Sequence, residues 1–317
     1  MTSNSRYDVI IIGGGAAGLS GAVTLARARR SVLVVDAGHP RNAPAAHAHN
    51  YLGLEGIPPL ELVAKGRAEA QSYGAEIREG TVASTSGRSG DFTVVLDDGT
   101  TLTARRLLVT TGLTDELPDI PGLADRWGRE VLHCPFCHGW EVRADTVGII
   151  GSAIGVHQAL MWRQWSDNIV LFTQGHEPTN DEYEKLAARD IGVVTDAIDS
   201  IVVDGGVLTG VRLASGTTVA VHAVVARPNF AANADMLKGL DLAVSDVLMG
   251  DIKMGTALTI DTFGATSTAG VYAAGNVASV TENVIGSAAA GGRTAGAINA
   301  SLIDEDVQLA VDARARA

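Results

Sequence analysis

The run Tyr7-Asp8-Val9-Ile10-Ile11-Ile12 is apolar and β-branched almost without interruption. That is the pattern of a strand buried on both faces in a parallel sheet. It leads straight into Gly13-Gly14-Gly15-Ala16-Ala17-Gly18, then into an Ala/Leu-rich stretch of helical spacing that ends near Ala28. A second apolar run over 31–35 stops at Asp36, with Ala37 behind it. Strand, glycine turn, helix and a carboxylate-terminated strand form the context in which Gly-x-Gly-x-x-Gly binds a dinucleotide. Gly13 permits the tight turn, Gly15 lets the backbone approach a pyrophosphate, and Gly18 lets helix pack on strand. The amides of the helix start, at Ala16 and Ala17, face the phosphates, and Asp36 and Ala37 stand where an adenosine ribose would be held.

Residues 38–59 lose this periodicity and carry Arg41, Asn42, His47, His49 and Asn50 among several Pro and Gly. So long a loop in a compact domain is usually functional, which makes Arg41, Asn42, His49 and Asn50 candidates for cofactor contact; the competing reading is ordinary surface-loop residues. A helix is expected over 59–73, then strands near 81–84, 92–96 and 101–104, the last two joined by Asp97-Asp98-Gly99. A buried strand starting at Arg105 ends at Thr111-Gly112, and Leu117-Pro118-Asp119-Ile120-Pro121-Gly122 has the composition of a crossing linker.

A second strand, turn and helix follow at 146–150, 151–156 and 157–165. Its fingerprint is degraded: Ala153 and Val156 replace the second and third small residues, and an Ala methyl at closest approach pushes a pyrophosphate away. The next strand, 168–172, ends in Thr173-Gln174-Gly175, which offers neither an acid for a 2′-hydroxyl nor a basic cluster for a 2′-phosphate; His176 is the only candidate nearby. Productive NADPH binding is therefore doubtful, and a nucleotide fold without its nucleotide is the other reading. Strands are expected at 193–195, 200–203 and 209–213, with a hairpin turn at Asp204-Gly205-Gly206, and at 219–226. After a crossing segment at Arg227-Pro228-Asn229, residues 259–261 and 270–277 read as strand and turn before a Gly/Ala-rich helix over 283–302. So many small residues admit a neighbouring backbone or a flat ligand.

Composition fits this α/β pattern. Of 317 residues, 46% are hydrophobic but only 4% aromatic, and 37 are Gly. The length suits two domains with separate cores. A net charge of −12 argues against nucleic acid or an anionic membrane as partner, and no apolar run approaches the ~20 residues of a membrane span. Residues 1–7 are polar and lead directly into the first strand, so no signal peptide is expected and the location follows as cytoplasmic.

Only two cysteines occur, within His133-Cys134-Pro135-Phe136-Cys137-His138-Gly139-Trp140. A bond across so short a gap closes too small a loop to staple a fold. Reversible thiol chemistry remains, since a Cys-x-x-Cys pair flanked by imidazoles can hold a lowered thiol pKa. Zinc is an alternative, although six consecutive residues could hardly wrap one tetrahedral ion. Two inert buried thiols are another. His133 and His138 each have a catalytic and a structural reading, whereas Phe136 and Trp140 are expected to pack.

The order of a flavin-type Gly-x-Gly-x-x-Gly, a Thr-Gly strand end, a Cys-x-x-Cys ahead of a second nucleotide unit and a late Ala274-Gly275-Asn276 turn before a helix resembles the low-molecular-weight thioredoxin reductase family, over about 7–302. The resemblance implies two Rossmann-like domains and a homodimer, with a discontinuous FAD domain at about 1–115 and 246–317. The middle domain, 116–245, would carry the dithiol and an NADPH-type fold. It further implies that Thr111, Gly112, Gly275, Asn276, Asn283 and Val284 join Gly13, Gly15, Gly18 and Asp36 around FAD. Cys137 matches the flavin-side cysteine and Cys134 the interchange thiol. Three departures stand out. The family's reductases have an acid after the second Cys, where this chain has His138; their second fingerprint is intact; and Asn276 replaces the usual Asp. Missing NADPH determinants with Cys-x-x-Cys-His resemble the dithiol oxidase branch, whose members close disulfides in gliotoxin-type or holomycin-type small molecules using flavin and O₂. A small-molecule dithiol is thus the expected partner. The alternatives are a thioredoxin-like protein served by an NADPH- or ferredoxin-driven reductase, and a non-enzymatic redox sensor or zinc-binding interaction protein.

Overall fold

A computed structural model describes residues 6–317; the polar leader expected to precede the first strand lies mostly outside them. The chain forms two compact units. One takes the chain up to Ala43, Ile57–Thr114 and Phe230–Ala317; the other takes Pro44–Gly56 and Asp115–Asn229.

The main sheet of the first unit has the order Glu76–Glu79, Val32–Asp36, Arg6–Ile12, Thr101–Val109, Asp91–Leu96, Val82–Arg88. Strand Arg6–Ile12 runs parallel to both neighbours, with Ile10 opposite Leu33 on one side and Leu107 on the other. Alternation then fills two cores. Ile10, Ile12, Leu33 and Val35 face one cluster with Phe92, Leu96 and Leu107, while Val9, Ile11, Val32 and Val34 face another with Leu25, Ile298 and Leu302. This two-faced burial is why the run has no polar partner positions. Strand Thr101–Val109 is continuous, not two segments broken at Arg105, because its first half pairs with Asp91–Leu96 and its second with Val271–Ala273.

Helices α1 (Ala16–Arg27) and α2 (Pro59–Ser72) belong to this unit. The last helix of the unit, Val284–Arg316, runs well past the expected end at Leu302. Its small residues serve close packing on α1: a Cβ at Gly291 would collide with the Ala17 carbonyl oxygen. The unit's smaller sheet orders Val244–Met249, Ile252–Leu258, Asn229–Ala232 and Leu113–Glu116. Residues expected as a strand at 259–261 lie just past the end of Ile252–Leu258.

The second unit has a parallel sheet ordered Gly192–Val194, Asn168–Phe172, Thr146–Ile150, Ala223–Val225, Val131–Leu132. A meander of Ile198–Asp204, Val207–Leu213 and Thr218–Ala220 accompanies it, turning at Gly205 and Gly206 with φ of 57° and 84°. The run 219–226 therefore divides between two sheets. Its helices are α3 (Pro135–His138), α4 (Gly155–Trp162) and α5 (Asn180–Ala187); Val284–Arg316 of the first unit is α6. Among the described residues, no helix is long and apolar enough to cross a membrane.

Candidate active site

In the first unit the glycine loop forms an open cradle. Gly13 has φ of 107°, and the Thr110 hydroxyl donates to its carbonyl at 2.7 Å. A Cβ at Gly18 would collide with the Gly13 carbonyl, so Gly18 is where helix meets loop. A Cβ at Gly15, by contrast, would meet nothing within 4 Å. Gly15 is the N-cap of α1 and supplies no side chain to its first amides, so Ala16 and Ala17 open a helix start with unsatisfied donors and a positive dipole end. That combination suits a pyrophosphate. Asp36 ends its strand beside the loop; its Oδ1 accepts the Gly14 amide at 3.0 Å and its Oδ2 pairs with Arg67. Ala37 follows it, exposed.

Gly275, with φ of 76°, leaves only 3.0 Å between a hypothetical Cβ and the Ala17 methyl, which places the Ala274-Gly275-Asn276 turn against the start of α1. Asn276 Nδ2 donates to the carbonyls of Ser279 and Glu282 at 3.2 and 2.9 Å, and its Oδ1 lies 3.5 Å from Arg41 Nη1. Asn283 caps α6, its Oδ1 accepting the Gly286 amide at 2.8 Å, and Val284 is the first helical residue. Thr111 donates to the Asn233 carbonyl at 2.7 Å, Gly112 turns with φ of 70°, and Asn42 is half-buried in the loop after Asp36. The cradle, the carboxylate and the Asn276 turn lie together on one unit and fit FAD.

The second fingerprint differs. A Cβ at Gly151 would collide with Thr173 backbone, but α4 begins only at Gly155, behind an exposed Ala153 and an Ile154 N-cap without a capping side chain. Gln174, with φ of 46°, accepts the Ile198 amide on its Oε1 at 3.1 Å. That side-chain oxygen is thus engaged within the fold.

The cysteines lie in this unit. Strand Val131–Leu132 leads through His133 to Cys134, the N-cap of α3, whose carbonyl accepts the amides of Cys137 and His138 at 3.2 Å each. Both cysteines are half-buried. His138 is half-buried, both its ring nitrogens are shielded from solvent without a hydrogen-bond partner, and this desolvation pushes its pKa below 6.5; Glu141 opposes that shift and His49 adds to it. Loop 44–56 belongs to the same unit. Asn50, with φ of 59°, donates from Nδ2 to the Phe136 carbonyl at 2.6 Å and from its amide to Glu55 Oε2 at 2.8 Å. His49 Nδ1 lies 2.6 Å from Glu55 Oε1, and its Nε2 3.4 Å from Glu141 Oε1. Expected beside the cofactor, His49 and Asn50 are thus brought to the cysteine loop, while Arg41 lies with Asn276. Phe136 and Trp140 were expected to pack; they are 65% and 66% exposed, Phe136 edge-on to Trp165 and Trp140 beneath Arg143. Glu55 and Glu141 were not singled out in the sequence, where nothing local marks them. Among the described residues, no three His, Cys, Asp or Glu side chains gather to hold a metal ion.

Residues 7–295 match the pyridine nucleotide-disulphide oxidoreductase family. The crystal structure of HlmI shares 43% identity and a TM-score of 0.91, covering 100% of this chain and 98% of its own. An oxidoreductase from Agrobacterium tumefaciens shares 37% with a TM-score of 0.88, covering 94% and 99%. Thioredoxin reductase aclD of Aspergillus oryzae is 30% identical over 85% of this chain and 88% of its own, and thioredoxin reductase sirT of Leptosphaeria maculans is 29% identical over 96% and 97%. The family expected from the glycine loop and the cysteine pair is the one these comparisons return: the chain belongs to the pyridine nucleotide-disulphide oxidoreductases, as a thioredoxin reductase-like, FAD-binding oxidoreductase.

Proposed function

We propose that the protein oxidises a small-molecule dithiol to a disulfide with O₂ as acceptor, through a redox-active Cys134/Cys137 pair. The observation that carries this reading is His138: a half-buried imidazole whose two shielded nitrogens have no hydrogen-bond partner, directly after Cys137, where the family's reductases have an acid. A base is what a thiol substrate needs, because the thiolate is the attacking species.

In the oxidised pair, a substrate thiol gives its proton to His138 and attacks Cys134 Sγ. The bond between the two cysteines breaks, and Cys137 leaves as thiolate. The second substrate thiolate attacks the substrate sulfur bound to Cys134, which forms the product disulfide and releases Cys134. When bound, FAD would supply the two-electron acceptor between the reduced cysteines and O₂. The sum is dithiol plus O₂ giving disulfide plus H₂O₂. Gly13, Gly15, Gly18 and Asp36 would hold the adenosine diphosphate half of FAD, and the Asn276 turn with the start of α6 would hold the flavin side. The enzyme works in the cytoplasm as a homodimer. His133, ahead of the pair, keeps its structural reading beside a catalytic one.

The relatives' names favour a second reading, a thioredoxin reductase in which electrons run from NADPH to a protein disulfide. Anaerobic titration separates the two. The proposal expects stoichiometric flavin bleaching by a dithiol and none on the same timescale by NADPH; rapid bleaching by NADPH sinks it.

A further inference from the structure

A helix of one turn cannot hold its own shape, since isolated helices below about 12–15 residues are marginal in water. Helix α3 has 4 residues, yet it carries Cys137 and His138 and has Cys134 as its N-cap. Its internal hydrogen bonds are few. The Cys134 carbonyl accepts the Cys137 and His138 amides at 3.2 Å each, and the Pro135 carbonyl accepts the Gly139 amide at 2.7 Å. Beyond the Asn50 bond to Phe136, what fixes α3 from outside is Trp165. The Trp165 ring meets Phe136 edge to face, 5.1 Å between centroids at 84°. It also lies against the backbone of Gly139, where a Cβ would stand 2.6 Å from Trp165 Cδ1 and 2.7 Å from its Cγ. Phe136 and Gly139 are three apart and share one face of the turn, whereas Cys137 and His138 lie at least about 100° round from both. Trp165 therefore backs α3 from the side away from its reactive residues.

The ring is itself anchored. Trp165 follows the end of α4, with its amide on the Trp162 carbonyl at 2.9 Å. Trp162 is wholly buried in the core of this unit. The next residue, Ser166, is 1% exposed, and its hydroxyl donates to the Asp145 carbonyl at 2.6 Å. The end of α4 thus holds the cysteine segment at Phe136, Gly139 and Asp145.

We propose that Trp165 is a positioning residue of the dithiol site, seating α3 so that Cys134, Cys137 and His138 keep the placement that thiol exchange needs. The proposal rests on the reading of Cys134 and Cys137 as a redox pair. Trp165 acts through Phe136 and Gly139 rather than on the sulfurs. Without its ring, α3 samples more orientations and the reacting groups meet less often, which costs rate and leaves the chemistry the same. Gly139 belongs to the same device, because a side chain there would push α3 off the ring.

The test follows flavin bleaching by dithiothreitol in anaerobic stopped flow, on holoenzyme carrying Trp165→Ala or Trp165→Phe. Leu186→Ala serves as the control for lost stability alone, since it removes a wholly buried side chain from the same core. The proposal expects Trp165→Ala to lower the limiting rate per bound flavin about fivefold, the size that an edge-to-face aromatic pair contributes. The half-saturating dithiothreitol concentration stays unchanged. Trp165→Phe retains counterparts of Cδ1 and Cγ and recovers most of the rate. Leu186→Ala melts at a lower temperature yet bleaches at the wild-type rate per flavin. A second readout is the equilibrium with glutathione, in which two glutathione thiols reduce the Cys134/Cys137 disulfide and leave as glutathione disulfide; in Trp165→Ala it shifts towards the reduced pair. A wild-type rate and equilibrium in Trp165→Ala, equal losses in Trp165→Ala and Trp165→Phe, or the same rate loss in Leu186→Ala overturns the seat. If Cys137→Ser bleaches at the wild-type rate, the redox pair fails, and with it the seat; an inactive Cys137→Ser beside a fast Trp165→Ala overturns the seat alone.

Discussion

Asn50 Nδ2 donates to the carbonyl of Phe136 at 2.6 Å, so a residue far upstream holds the backbone between the two cysteines. The side-chain amide reaches it from a left-handed backbone, φ 59°, which Asn tolerates better than most residues. Asn50→Gly keeps that conformation and removes the hydrogen bond, whereas Asn50→Ala adds strain. With a net value of about 1 kcal/mol for such a bond, we expect Asn50→Gly to slow turnover roughly fivefold and Asn50→Ala to slow it further. Steady-state assay of both variants checks the order; equal rates would remove Asn50 from the account.

Gly15 and Gly291 separate cofactor from fold. A methyl at Gly15 points into open space, while one at Gly291 strikes the Ala17 carbonyl. Gly15→Ala should therefore change apoprotein stability by less than about 1 kcal/mol yet purify with little flavin. Gly291→Ala should lower the apoprotein's stability by about 1–3 kcal/mol, as overpacking does. Urea denaturation of apoprotein and the flavin absorbance of purified protein read the two effects apart.

Asp36 accepts the Gly14 amide and pairs with Arg67, so it shapes the loop even without a ligand. Asp36→Asn keeps an acceptor for the Gly14 amide and loses the charge that holds Arg67 and that, in the proposed FAD site, would take the ribose hydroxyls. Hydrogen bonds to charged groups contribute about 1.5–3 kcal/mol, so FAD affinity of the apoprotein should fall at least about tenfold. Fluorescence titration with FAD measures it, and unchanged affinity would move the ribose elsewhere.

These sites differ in how far the sequence revealed them. The cradle was legible because strand, glycines and helix are contiguous, and each glycine's job is local. Loop 44–56 was not: its membership of the cysteine unit depends on Asn50 and His49 meeting residues some ninety positions later. Strand Glu76–Glu79 escaped because its Glu-Ile-Arg-Glu pattern carries one apolar residue at a sheet edge, and the Val244–Met249/Ile252–Leu258 hairpin because its first strand is mostly exposed. Helix α5 did leave a signal, the capping box of Thr179 and Glu182. The end of α6 left none, since past Leu302 its apolar Ile303, Val307, Leu309 and Val311 are exposed and show no core-facing stripe.

As the proposed base, His138 would set the pH dependence. Burial holds its pKa below 6.5, so the unfolded chain binds that proton more readily than the folded one. Its contribution to stability is present above about pH 6.5 and is lost as pH falls through the folded value. The neutral, proton-accepting ring likewise persists below pH 6.5, which puts the acid limb of kcat/KM beneath that value. His138→Gln should remove the limb and cost about 10²–10⁴ in rate. A pH–rate profile of both proteins checks this; an unchanged limb would assign it to another group.

The most direct test of the central claim is peroxide release in air with a panel of small dithiols, comparing wild type with Cys137→Ser. We expect one H₂O₂ per dithiol consumed from the wild-type protein, without NADPH, and no turnover from Cys137→Ser. Undiminished release from the variant, or dithiol consumption that requires NADPH, would contradict an oxidase that works through this pair of cysteines.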